Sequence, residues 1–174
     1  TLCSVGFSAI AHQTGSYDFE NIAKYNGSAW PIVLILAGFA VKAGFVPFHT
    51  WLPKAHPAAP AHISGVMSGV IIKIGIYGIL RTISLTTIDL EAAGYVILAV
   101  SAVSALYGVM LAIMQHNLKR LLAYHSIENI GIIGMGIGIG CIGAGTANPY
   151  IATAGFAGAL LHTLNHALFK SSLF

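Results

Sequence analysis

ISGVMSGVIIKIGIYGILRTIS, residues 63–84, decides how the rest of the chain is read. A helix that crosses the hydrocarbon of a bilayer needs roughly 20 predominantly apolar residues. Residues 63–84 meet that requirement with Lys73 and Arg81 as their only formal charges. Arg81 sits near one end and can reach the interface. Lys73 lies near the middle, where even a lenient insertion scale sets the cost of a charge at about 2.5–3.5 kcal/mol. A lysine there can snorkel only if an end of the helix is close, and neither end is. The stretch therefore predicts a membrane helix whose lysine faces a polar or hydrated interior.

Outward from this stretch the composition repeats the message. Charged residues are 7% of 174, hydrophobic residues 56%, and mean hydropathy is +0.81. A soluble domain carries about 25% charged residues, so eight basic and five acidic side chains cannot clothe a water-facing surface of this size. The net charge of +3 comes from scattered residues with no basic run, which gives no footprint for nucleic acid. Cys3 and Cys141 stand singly in apolar stretches, so no disulfide framework, zinc site or iron–sulfur motif is indicated. Neither a metal nor another cofactor is expected.

The whole chain, 1–174, reads as one transmembrane unit: a stub at 1–11, then spans at 30–48, 63–84, 92–115, 126–143 and 151–174. Polar or Pro-rich breaks separate them at 12–28, 53–60, 86–91, 116–119 and 144–149. Glycines, as at Gly65, Gly69, Gly75 and Gly78 and again between Gly131 and Gly140, are expected to let helix backbones approach closely. Alternation places Lys54, Lys119 and Arg120 on one side and Lys24 and Arg81, with Asp18, Glu20, Asp89 and Glu91, on the other. The basic excess favours the first side as cytoplasmic. The chain lacks an initiating Met and ends inside an apolar run, which suggests an internal piece of a longer polytopic protein.

Lys73 is not alone. Lys42, Glu128 and Lys170 also fall in or at the edge of spans. In the last span His162, His166 and Lys170 recur at i, i+4 and i+8, one face of one helix, with Asn165 beside them. Imidazole exchanges a proton near neutral pH, and an amine removed from water releases its proton more readily. Such a stripe suits a proton relay. It does not suit haem ligation, because two histidines on one face of one helix cannot take both sides of one iron.

The segment Lys42-Ala-Gly-Phe-Val-Pro-Phe-His-Thr-Trp-Leu-Pro-Lys-Ala-His56 is the second unusual feature. Pro47 removes a backbone donor close to membrane depth. Broken membrane helices persist where they line a polar cavity, commonly at transport sites. Alternatively, Pro47 opens an interfacial loop anchored by Trp51; composition alone leaves both open.

These segments resemble a known family. Residues 42–56, Ile71-Ile-Lys-Ile-Gly-Ile-Tyr77, Asn117-Leu-Lys-Arg-Leu-Leu-Ala-Tyr-His-Ser126 and His162-Thr-Leu-Asn-His-Ala-Leu-Phe-Lys170 resemble, in the family's order, the antiporter-like subunits of respiratory complex I, Mrp sodium/proton antiporters and membrane-bound hydrogenases. Ser126-Ile-Glu-Asn-Ile-Gly131 and Pro57-Ala-Ala-Pro60 look most like the formate hydrogenlyase and hydrogenase-4 type. Met67 stands where some complex I members carry a histidine, a departure that points away from the quinone-reductase subunit and toward the hydrogenase or Mrp-D-like branch. The resemblance implies an all-α, polytopic bundle, part of an inverted-repeat fold with a broken helix near Pro47. It implies that Lys42, Lys73, His162, His166 and Lys170 form a proton relay; His49, His125 and Glu128 are supporting candidates read from the residues themselves. A glutamate partner for Lys42 is expected upstream of this chain and a second broken helix downstream.

The implied function is a proton-translocating subunit of an oxidoreductase complex, in the inner membrane, without a redox centre of its own. Its partners would be other membrane subunits, lipid and protons, with Na+ as the other possible ion. An Mrp-type Na+/H+ antiporter subunit is the alternative within transport. A haem- or metal-bearing redox subunit is opposed by the missing motifs, and an inert scaffold by three costly lysines.

Overall fold

A computed structural model describes residues 2–86 and 88–174. Thr1, in the expected stub, and Thr87, in the expected 86–91 break, lie outside them. The described residues form helices and connecting turns with no strand. The helices are α1 (Leu2–Thr14), α2 (Phe19–Ala23), α3 (Trp30–Ala43), α4 (Leu52–Ala58), α5 (Ala61–Val66), α6 (Ile72–Leu85), α7 (Leu90–Ile113), α8 (Leu118–Gly145) and α9 (Pro149–Leu173). A π-helical segment, Met67–Ile71, joins α5 to α6 as one rod, Ala61–Leu85.

Three of these rods, Ala61–Leu85, Leu90–Ile113 and Leu118–Gly145, are long and apolar enough to cross a membrane by length and composition. Helix α3 is apolar but shorter. Helix α9 has 25 residues, and its apolar character is diluted by the polar stripe it carries. Asx caps start the last three helices. Asp89 accepts from the N–H of Glu91 and Ala92, Asn117 from that of Arg120, and Asn148 from that of Ile151. The cap at Asn117 lets α8 begin well before the apolar stretch at 126, so Lys119 and Arg120 occupy its first turn rather than a loop.

Helix α8 lies at the centre, packed against α7, α9 and α4, while α3 joins α1 to α6. Glycine makes these contacts backbone-close. A Cβ on Gly131 would lie 2.5 Å from the Ala105 nitrogen, one on Gly108 2.6 Å from the Glu128 nitrogen, and one on Gly155 2.4 Å from the Gly140 nitrogen. Ile127, Ile130, Ile133 and Ile137 fill the main core from α8, against Ile72, Ile76 and Ile79 from α6.

The broken helix is present. Helix α3 stops at Ala43 because Gly44 turns left-handed, φ 87°, with its N–H on the Ala40 carbonyl. Helical pairing resumes only at α4, after a run of turns through a cis Val46–Pro47 bond. The gap is held from two sides. Val46 N–H donates to the Ser104 hydroxyl of α7 (3.0 Å), and Trp51 Nε1–H donates back to the Val41 carbonyl (2.9 Å). Trp51 is thus a strut inside the break rather than an anchor at its rim.

Candidate functional site: a lysine and histidine stripe

Helix α9 presents His162, His166 and Lys170 in succession, and the π segment packs against the same helix. The His162 and His166 rings lie parallel, 6° apart in tilt, with centroids separated by 6.4 Å. His166 and Lys170 are enclosed, 0% and 2% exposed. Lys170 Nζ donates to the Leu122 carbonyl at 2.9 Å. His166 has no hydrogen-bond partner on either ring nitrogen, and its ring also lies edge-to-face with Phe169.

Lys73 reaches this region through the π segment. A π turn shifts backbone pairing by one residue and recurs at functional sites. Here Lys73 Nζ donates to the carbonyl of Ser68, inside that turn. The Ser68 hydroxyl pairs with that of Ser126 on α8 (2.8 Å), and Ser126 donates to the Leu122 carbonyl (2.9 Å), the same oxygen that holds Lys170. Two lysines on different helices are thereby tied to one buried serine pair.

Other expected residues lie apart from this knot. Lys42 is exposed on α3. His49 is buried in the helix break, edge-on to Tyr107 with centroids 4.9 Å apart. His125 and Glu128 meet on the partly exposed side of α8, Nδ1 to Oε2 2.6 Å. A cavity of about 540 Å³ borders the break and is lined by Leu36, Phe45, Pro47, Val100 and Ser101, sharing no wall with the stripe.

Four residues escaped sequence reasoning as site members. Ser68 and Ser126 carry no charge to betray them. Asn129 Oδ1 on α8 lies 2.9 Å from His162 Nε2, within hydrogen-bond reach. His56, quoted within the 42–56 motif, is 0% exposed with both ring nitrogens unpartnered, stacked on Phe174 at 4.7 Å. The signal available for it was its place between Pro53 and Pro57 in a short helix beside apolar spans.

A bundle of apolar helices, one broken beside a lysine and another lined by enclosed lysine and imidazole, defines an antiporter-like membrane subunit. The chain belongs to the family described as NADH:quinone oxidoreductase/Mrp antiporter, TM, which matches residues 2–174. It is 42% identical to hydrogenase-4 component B of Escherichia coli K12 over 99% of this chain and 27% of that protein. Among solved structures it resembles a chain of the membrane-bound sulfane sulfur reductase, an archaeal respiratory membrane complex, at 30% identity and TM-score 0.84, covering 98% of this chain and 29% of that one. It resembles a chain of the Mrp complex of Dietzia sp. DQ12-45-1b at 25% identity and TM-score 0.81, covering 98% and 31%. The chain thus spans about a quarter to a third of these relatives' lengths.

Proposed function

We propose that the protein to which this chain contributes moves protons across the inner membrane as a subunit of a redox-driven complex of the hydrogenase or NADH:quinone oxidoreductase type. Residues 1–174 act as one transmembrane unit, with α3 and α9 crossing beside the three most apolar rods and α1 as a stub. Other membrane subunits and lipid surround it. The observation that carries the reading is His166. A buried polar atom without a partner costs about 1–3 kcal/mol, and His166 holds two such atoms one turn before the enclosed Lys170. Structure alone gains nothing from that arrangement; proton exchange does. Lys73, tied to Lys170 through Ser68, Ser126 and the Leu122 carbonyl, supplies the other charged end of the stripe. Lys42 serves from the broken helix, where its exposed side chain is free to meet a carboxylate elsewhere in the whole protein. His49, His125 and Glu128 assist from outside the stripe. The similarity to an Mrp complex supports Na+ exchange as the second reading.

The test compares proton uptake into inverted vesicles with the electron-transfer rate of the intact complex, after assembly is verified. Lys73→Ala is expected to lose uptake while electron transfer persists in part. Full uptake by the assembled variant sinks the relay role of Lys73.

A further inference from the structure

Both ends of the Asn129 carboxamide are assigned by its neighbours. The Nδ2 amide donates to the His125 carbonyl at 2.7 Å, and a carbonyl can only accept. Oδ1 is therefore the atom facing His162 Nε2, at 2.9 Å, and an amide oxygen also only accepts. It follows that Nε2 carries a hydrogen and that Nδ1 is the basic nitrogen of neutral His162. We propose that Asn129 is a positioning residue that makes His162 a proton store with a single port.

The inference rests on the proton-relay reading and refines it. A through-conducting imidazole takes a proton at one nitrogen and gives one up at the other. His162 cannot do this while its Nε2–H points at an amide oxygen, which does not hold a proton. A proton joins at Nδ1, forming an imidazolium that still donates Nε2–H to Asn129, and leaves from Nδ1 again. His166, with neither nitrogen engaged, is free to conduct through its ring. The two parallel rings thus take different parts, His162 as terminus and His166 as conduit.

The experiment uses the full-length protein in its own complex, with histidine ring nitrogens labelled with 15N and read by solid-state NMR; the His162 signal is the one lost in His162→Gln. The expected result is the Nε2–H tautomer for His162 in the unaltered protein. Asn129→Asp should preserve it, since a carboxylate oxygen accepts equally well. Asn129→Leu should yield a mixture of tautomers and slow proton uptake several-fold with assembly intact. An Nδ1–H tautomer in the unaltered protein overturns the proposal, as does a single Nε2–H tautomer in Asn129→Leu. If the Leu variant fails to assemble, the unaltered protein and the Asp variant still decide the matter. Full uptake by His162→Gln would instead remove His162 from the relay, whatever the tautomer found.

Discussion

An ionisable group inside an apolar helix declares itself by what it costs. Lys73, Lys170 and the two α9 histidines were legible in the sequence for that reason, and the structure encloses His166 and Lys170 almost completely. Their uncharged companions were not legible. Ser68, Ser126 and Asn129 cost too little on their own to stand out, and their pairings join helices far apart in the chain. Exposure was equally hidden at Lys42, because spacing along one helix does not tell which side its neighbours cover. At this scale two outcomes are expected. His166→Leu removes two unpartnered buried nitrogens and should leave the melting temperature of the purified complex unchanged or raised, while proton uptake is lost. A drop in melting temperature would mean that the imidazole is held by something and has a structural task. Lys73→Arg should restore little of the uptake lost in Lys73→Ala, since arginine keeps its proton at any working pH. Normal uptake would make the role of Lys73 purely electrostatic.

Among elements, the break after α3 was readable from Gly44 and Pro47, which are breakers by local chemistry alone. What closes it was not, for Ser104 and Trp51 act through tertiary hydrogen bonds. The π segment left no trace either: Met67–Ile71 holds no proline, and its extra residue per turn shows only in the backbone. A substitution at Gly44 bears directly on the break. Ala in the left-handed region costs about 1–2 kcal/mol, so Gly44→Ala should lower thermal stability in detergent by that order and weaken the α3 terminus beside Lys42. An unchanged melting curve would show that the turn relaxes without strain. At the seam of α8 and α9, a Cβ on Gly155 meets the Gly140 backbone. Overpacking of this kind typically costs about 1–3 kcal/mol, and the wedge acts on the helix pair that sets the Asn129–His162 contact. Gly155→Val should therefore impair both assembly and uptake, and wild-type behaviour would mean the seam has slack.

For the whole molecule, two contacts sort the loops between its ends. Lys119 Nζ donates to the Ala59 carbonyl at 2.6 Å, so the start of α8 lies beside the α4–α5 link. Arg81 lies over the Phe19 ring at 5.0 Å, so the end of α6 lies beside α2. Lys54, Lys119 and Arg120 thus share one end, and Lys24 and Arg81 the other, in agreement with the alternation read from hydrophobic runs. The basic excess at the first end predicts that it faces the cytoplasm. Single cysteines at the exposed positions Lys54 and Arg120 should react with a membrane-impermeant maleimide only in inverted vesicles, and one at Lys24 only in intact cells or right-side-out vesicles. The opposite pattern would invert the assigned orientation.

The glycines that bring α8 within backbone contact of α7 and α9 have a genetic consequence. Every glycine codon begins GG, and any single-base change that replaces the amino acid installs a residue with a Cβ or ends the chain. At Gly131, Gly138 and Gly140 that atom would fall 2.5–2.8 Å from a neighbouring atom. Point mutation therefore offers these positions no substitute that fits without movement. In a library of random single-nucleotide variants, α8 should emerge as the least permissive stretch of the gene, even though most of its length carries no group that handles a proton.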